Sequence, residues 1–252
     1  MRFNAIDTSD LLRLDAVFDL FQEAAISHAE NLGVGREAMA SSNHVWILSR
    51  ISVQVDRRPK YGEAVTVRTW PRGGEKLFAL RDYDIRDMQG VAAVRARSCW
   101  LVIDIEKRRP LRPQSIMDKL PQNDGLNALP SAASLEERQS LQKTAERRAM
   151  YSDLDYNGHV NNVGYIRWIE DAADRLLLER ARQMRLDINF INEVLPGEVT
   201  GIWSAPVEEA ADGGSAPDSS SALGGASHAF AFEGKKVHDN QTAFRAELRL
   251  WE

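Results

Sequence analysis

The sequence predicts an α+β protein built from two like repeats, each a long helix wrapped by a curved antiparallel sheet. Apolar residues recur at helical spacing in two stretches, near 14–32 and 163–180. Each stretch is followed by four segments in which apolar and polar residues alternate with a period of two, the mark of half-buried strands. The order of lead-in, helix and strands occurs twice, so the chain reads as an internal duplication despite low residue identity between its halves.

In the first half, 2–7 is a short strand candidate, and Thr8, Ser9 and Asp10 offer N-cap oxygens to a helix. Leu14, Val17, Phe18, Phe21, Ala24, Ala25, His28 and Leu32 form the helix's apolar stripe, and Gly33 stops it. His28, on that stripe, reads as a hydrogen-bonded structural histidine. HVWILSRISVQV, EAVTVRTW, KLFALRDYDIRD and VAAVRARSCWLVIDI are strands, divided by RRPKYG, PRGGE and MQG, whose Pro and Gly suit turns. KRRPLRP then leaves the sheet, and a short helix is expected near 135–142 in an otherwise loop-like stretch. These readings place the repeats at 1–112 and 146–252, with a linker at 113–145.

In the second half, ERRAMYSDLD is a strand candidate, and Val163, Ile166, Ile169, Ala173, Leu176, Leu177 and Arg180 trace one amphipathic helix. LDINFI, GEVTGIWSAPV, SHAFAFEGKKV and QTAFRAELRLW are strands again. Residues 208–227 are dominated by Gly, Ser, Ala, Asp and Pro, bury too little apolar area to offset ordering, and are expected to be a flexible hairpin loop. Two equal units in one chain make a pseudo-dimer, expected as a monomer or as a homodimer through exposed sheet edges.

With 252 residues, 43% of them hydrophobic, the chain can bury one large core or two smaller ones. A net charge of -5 leaves no basic excess suited to nucleic acid, which argues against a DNA-binding role. Cys99 is the only cysteine, which rules out an intrachain disulfide and a Cys-rich metal site and suits a reducing, cytoplasmic setting. No apolar run approaches 18 residues and the opening residues are polar and acidic, so a soluble, untargeted protein with no membrane insertion is expected.

The chemistry concentrates in residues 151–165, YSDLDYNGHVNNVGY. A polar cluster this dense must lie open to water or line a site, because buried unpaired polar groups cost a few kcal/mol each. Asp155, Asn157 and His159 are separated by single residues, so in an extended segment their side chains share one side. They bring a carboxylate base, an amide donor and an imidazole to one pocket wall, and Gly158 permits the tight turn between them. Asn161 or Asn162 stands where an N-cap belongs, so amides at the helix start would face the same pocket and polarise a carbonyl. A plain polar loop with an Asx-turn and a cap is the competing reading; it suits any single residue here better than the whole set.

The string DxNxHVNN followed by an aromatic-rich helix resembles the acyl-acyl-carrier-protein (acyl-ACP) thioesterases, double hot-dog enzymes that release fatty acids from their carrier. QEAAISHAENLG, RRPKYGEAVTVRTW, RDYDI and CWLVIDIEKRRP look like that family's first repeat, and DLDYNGHVNNVGYIRWIED like its catalytic segment. The resemblance implies that the first repeat holds the acyl chain and the second supplies the chemistry. It carries catalytic roles onto Asp155, Asn157 and His159, and onto Glu193 in NFINEVLPGE, a residue that would otherwise read as a solvated strand-end glutamate. The family often has Cys after that Glu; Val194 stands here, so a cysteine nucleophile at that site is excluded, and Cys99 reads as a small core residue.

The same resemblance implies an acyl chain near Phe18, Phe21, Trp46 and Phe78, with Asn161 and Asn162 at its thioester end. It also implies a basic dock for an acidic acyl carrier protein, with candidates Arg57, Arg58, Lys60, Lys107, Arg108 and Arg109. No metal or nucleotide cofactor is implied. An acyl-CoA thioesterase and a non-catalytic acyl-binding module are the alternatives, and a hydratase on the same fold needs a different Asp and His arrangement. The acyl-binding regulators expected to carry a DNA-binding helix pair differ from this chain, in which none precedes the first strand.

Overall fold

The computed structural model describes residues 1–118, 120, 121, 123, 125–207 and 227–252. In the first repeat a single 3-10 turn (Phe3–Ala5) leads to α1 (Leu14–Asn31) and a short α2 (Arg36–Ser41), followed by β1 (His44–Val55), β2 (Val65–Glu75), β3 (Phe78–Asp87) and β4 (Ala92–Asp104). Then come β5 (Arg109–Leu111) and α3 (Gln114–Met117). The second repeat runs β6 (Gln142–Arg148), a 3-10 turn (Tyr151–Asp153), α4 (Asn162–Ala172), α5 (Arg175–Arg180), β7 (Gln183–Phe190), β8 (Val199–Pro206), β9 (Ser227–Lys236) and β10 (Thr242–Trp251).

All of these strands join one antiparallel sheet, ordered β2-β3-β4-β1-β7-β10-β9-β8-β6, with β5 beside β4. The repeats meet at β1 and β7, where Arg50 lies opposite Asn189 and Val55 opposite Met184. Outward from that seam the order is the same on both sides: β4, β3, β2 on one and β10, β9, β8 on the other. This is the expected duplication, closed into a continuous sheet.

The period-two pattern sends Val53, Val55, Ile85, Val94 and Ala96 of the first repeat, and Leu186, Ile188, Phe244 and Leu248 of the second, to one face of the sheet. There they meet Phe18 and Phe21 of α1 and Ile166 and Ile169 of α4 in one continuous core. Full burial of each large side chain contributes about 2 kcal/mol. The helices also lock to each other: the Glu170 carboxylate on α4 accepts from the Leu14 and Asp15 N–H groups at 2.9 and 3.1 Å, capping α1 from the other repeat. Arg167 of α4 reaches Asp15 at 2.9 Å and Asp19 at 3.3 Å.

Several local expectations are corrected. Residues 2–7 do not form a strand; the chain makes a 3-10 turn with isolated bridges from Ile6 to Leu12 and from Leu11 to Lys60. Thr8, Ser9 and Asp10 do not cap α1, whose N-cap is Arg13 and whose free amides are met by Glu170 instead. The second helix is broken: Ala173 turns extended, and Asp174 caps a new helix by accepting from Leu176 and Leu177 N–H. The strand expected through ERRAMYSDLD ends at Arg148. Within KRRPLRP, β5 stays on the sheet and pairs with β4.

No helix forms at 135–142. Asn189 of β7 instead holds the linker by accepting the Leu135 N–H at 2.8 Å and donating to the Ala133 carbonyl at 3.0 Å. The loop expected at 208–227 lies outside the described residues except for Ser227, where β9 begins.

Candidate active site

Residues 153–162 fold into a knot of backbone hydrogen bonds ahead of α4. Leu154 and Val160 form a bridge, Asp155 N–H donates to the His159 carbonyl at 2.8 Å, and Gly158 N–H returns to the Asp155 carbonyl at 3.1 Å. Gly158 has φ +81°, a conformation that a side chain would strain. Asn161 is the N-cap of α4, its Oδ1 accepting the Val163 N–H at 3.0 Å. The helix then packs tightly on the loop: a Cβ added at Gly164 would come within 2.9 Å of Val160 Cγ1. Small residues at 158 and 164 are therefore what let this polar loop sit against the helix start.

The four expected side chains fall into two pairs. Asp155 Oδ1 accepts the Asn157 N–H at 2.8 Å, and Asn157 Nδ2 approaches Oδ2 at 3.3 Å, an Asx-turn with its amide folded back. His159 Nε2 lies 3.2 Å from Glu193 Oε2, with side-chain exposures of 35% and 59%, so water reaches both. No described hydrogen bond joins the side chains of the two pairs; their link is the Asp155 to His159 backbone bond. The bland loop reading is thus present in Asp155 and Asn157, and the convergent one in His159 and Glu193, residues 34 apart in sequence.

Glu193 is held by a feature not singled out in the sequence. The Val160 N–H donates to the Val194 carbonyl at 2.9 Å, and the Val194 N–H donates to Tyr165 Oη at 3.1 Å. Tyr165 is buried against Trp168, Phe190 and Phe244, and burial, with Glu193 and Asp155 nearby, raises its phenol well above the usual range. It therefore stays a neutral hydroxyl. The signal was the Tyr that closes YSDLDYNGHVNNVGY, four residues after the N-cap. A second contact comes from the first repeat, where the Arg36 guanidinium sits 4.0 Å over the Tyr156 ring.

At the helix start, the Asn161 N–H is taken by the Asp153 carbonyl at 2.7 Å and the Val163 N–H by the cap. Those two amides are committed to the loop rather than to a bound carbonyl. Among the described residues, no group of three or more His, Cys, Asp or Glu side chains is placed to hold a metal ion.

Phe18 and Phe21 lie in the large core cluster, Phe21 with its ring 4.8 Å from that of Tyr83. Trp46 packs on a separate cluster and donates to the Val34 carbonyl at 2.9 Å, whereas Phe78 lies under Arg50 at 5.2 Å. An open depression of about 410 Å³ lies between Arg57, Glu63 and Asp87, and another small one lies beside Leu135 and Phe232; neither touches the polar loop.

Of the basic candidates, Lys60, Arg108 and Arg109 are exposed, whereas Lys107 and Arg57 are exposed but paired, with Asp104 at 3.2 Å and Glu63 at 2.7 Å. Arg58 is corrected: it is 5% exposed, donates to the Leu12 and Leu178 carbonyls at 2.9 and 3.0 Å, and pairs with Asp7. A guanidinium satisfied inside the repeat junction is not a docking surface. Cys99 is a buried core residue whose thiol is raised by desolvation, as its strand position implied.

Two helix-and-sheet units joined edge to edge make a double hot-dog fold. An acyl-ACP thioesterase from Bacteroides thetaiotaomicron superposes with a TM-score of 0.82 at 24% identity, over 100% of this chain and 94% of that one. The 12:0-ACP thioesterase of Umbellularia californica does so with a TM-score of 0.79 at 19% identity, over 100% and 94%. Residues 1–120 match the acyl-ACP thioesterase N-terminal domain, and residues 136–245 match the acyl-ACP thioesterase C-terminal domain. The chain belongs to the acyl-ACP thioesterase family.

A chloroplastic palmitoyl-acyl carrier protein thioesterase of Arabidopsis thaliana is 29% identical over 197 residues, 71% of this chain and 47% of that protein. The oleoyl-acyl carrier protein thioesterase 1 of the same plant is 23% identical over 231 residues, 83% and 63%. The chain spans about half the length of several curated relatives that it matches.

Proposed function

We propose that this protein hydrolyses the thioester of fatty acyl-ACP, releasing free fatty acid and holo-ACP in fatty acid biosynthesis. The observation that carries the reading is the 3.2 Å contact between His159 and Glu193, beside the Asp155 and Asn157 pair, in a chain that belongs to this family. A thiolate leaves readily near neutral pH, so hydrolysis needs an activated nucleophile and a polarised carbonyl more than a strong acid. Glu193 is the better placed carboxylate to take a proton from water: it is open to solvent and oriented by His159, whereas both Asp155 oxygens are engaged by Asn157. Asp155 holds the loop and acts as a second carboxylate once substrate draws Asn157 away toward water or the thioester. The Asn162 N–H, beside the two committed amides, takes the role of polarising the carbonyl.

The acyl chain lies along α1 and the first-repeat sheet, with Phe18 and Phe21 at its side; these are packed core residues, so binding displaces side chains there. The acidic carrier docks through Arg108, Arg109 and Lys60, with Lys107 and Arg57 secondary because each is already paired. A cytoplasmic setting agrees with a single buried thiol and with the lack, among the described residues, of any helix long and apolar enough to cross a membrane. Thiol release from acyl-ACP and from acyl-CoA of matched chain length tests this reading. A higher kcat/KM for the ACP thioester supports it; preference for the CoA thioester moves the protein to the alternative carrier.

A further inference from the structure

The polar loop is rich in carboxylates, and one arginine of the first repeat reaches it. Asp153 and Asp155 lie in the loop, and Glu193 lies against His159. Among the described residues no lysine, and no arginine other than Arg36, makes a hydrogen bond, ion pair or ring contact with residues 153–162. The Arg36 guanidinium stands 4.0 Å over the ring of Tyr156, the residue between Asp155 and Asn157. Both side chains are exposed, and no described carboxylate pairs with the Arg36 guanidinium. A guanidinium stacked on an aromatic face keeps its N–H edges free, and those edges match the oxygens of a phosphate.

The chain secures Arg36 from both ends of α2. Glu30 Oε1 accepts the Arg36 backbone N–H at 2.8 Å, and a Cβ added at Gly35 would meet that carboxylate at 2.1 Å, so glycine makes room for the cap. That amide is thereby taken, and the group left to meet a ligand is the side chain. The Val34 carbonyl takes the Trp46 indole N–H at 2.9 Å, and Met39 is buried in the cluster on which Trp46 packs. Past the other end of α2, the Asn43 carbonyl accepts the Ile105 N–H at 3.0 Å, next to the turn that carries Lys107, Arg108 and Arg109. Six residues of helix span about 9 Å, so α2 joins the polar loop to the basic turn proposed as the carrier's dock.

We propose that Arg36, held on Tyr156, binds the phosphate of the carrier's phosphopantetheine arm when the thioester enters the polar loop. The inference rests on the thioesterase reading. The phosphate is the one ionised group of that arm, and the carboxylates of Asp153, Asp155 and Glu193 oppose its approach unless a cation stands close. Arg36 supplies that cation from the repeat opposite the chemistry, between the dock and the site. It fixes where the arm lies and so how the thioester meets the loop, and Tyr156 orients the guanidinium.

The test is kcat/KM for three thioesters of one acyl chain, acyl-ACP, acyl-phosphopantetheine and acyl-pantetheine, the last two differing only in the phosphate. The wild type, Arg36→Met, Arg36→Lys and Tyr156→Leu are compared, with melting curves to verify folding. The wild type is expected to prefer the phosphorylated free arm to the unphosphorylated one. Arg36→Met lowers that ratio about fivefold, the upper range for one solvent-exposed ion pair. Tyr156→Leu, which releases the guanidinium, lowers it by less, and Arg36→Lys keeps part of it as a point charge. A merely structural role for α2 would lower all three substrates together. A folded Arg36→Met with an unshifted ratio overturns the anchor and leaves the thioesterase standing; if that variant does not fold, Tyr156→Leu decides by the same ratio. A wild type that hydrolyses acyl-ACP yet treats the two free arms alike, or turns over neither, also overturns the anchor alone. A wild type inert toward all three thioesters overturns the thioesterase reading and the anchor with it.

Discussion

The two repeats share a plan and spend their polar residues differently. In the first, Asp82, Arg97, Arg81 and Ser98 are buried and nearly every polar atom has a fixed partner: the Asp82 carboxylate takes two bonds from Arg97 and one from the Ala128 N–H at 2.9 Å. In the second, the comparable density of polar groups sits at the head of α4, where His159 and Glu193 remain open to water. Full burial forces a polar group to be satisfied internally, which stiffens it; partial exposure leaves acceptors able to exchange partners with a substrate. On the proposed function, the repeat that carries the chemistry is the one whose polar cluster the fold leaves at its surface.

Substitutions in the two clusters should separate these roles. Glu193→Gln and His159→Ala are expected to lower kcat by about 10²–10⁴-fold, the usual range for loss of a general base, with melting temperatures near wild type. Steady-state thiol release with a parallel thermal melt reads both quantities, and near-normal kcat in either variant removes that residue from the chemistry. Asp82→Ala, in the first repeat, should do the reverse. Leaving Arg97 buried without its carboxylate costs about 3–5 kcal/mol, read by urea unfolding, and a near-neutral result would show that the pair relaxes to water.

Tyr165→Phe lies between the two classes. The Val194 N–H loses its acceptor, at a cost of about 1–3 kcal/mol, and the Glu193 segment loosens, so stability and kcat should fall together; a change in only one would mean that Tyr165 does not couple helix to site.

The smallest effect expected is at the α1–α4 junction. Burial and the neighbouring Asp15 carboxylate raise Glu170 from its usual value to about 7, despite its two helix-end amides. A carboxyl with a raised folded pKa binds more protons folded than unfolded. Its contribution to stability is complete below about 4.5 and is lost as pH rises to about 7. Glu170→Gln should flatten that part of the stability curve, measured by urea unfolding across the interval; an unchanged slope would assign it to other groups.

Much of this architecture was legible because the sheet is amphipathic strand by strand. HVWILSRISVQV coincides with β1, since its inward residues at 51, 53 and 55 face a helix and its turns carry Pro and Gly. The places where sequence reasoning failed are those decided by distant partners. The cap of α1 comes from Glu170, more than 150 residues away, so nothing local could identify it. Arg58 looked like a surface cation beside Arg57, but Leu12, Leu178 and Ala181 carbonyls converge on it from two repeats. Asp174 was the opposite case: a capping residue in plain view inside an apolar run, overridden by the periodicity around it. At the site, local spacing brought Asp155, Asn157 and His159 together, whereas Glu193 needed the family resemblance and Tyr165 needed the packing of α4 on the loop.

The most direct test of the account is thiol release from a panel of acyl-ACPs by the wild-type protein and by Glu193→Gln under identical conditions. Turnover by the wild type on at least one chain length, falling by 10²-fold or more in the folded variant, is the result the account predicts. Wild-type protein that is folded but releases no thiol from any acyl-ACP, or a Glu193→Gln variant that turns over at the wild-type rate, would contradict it.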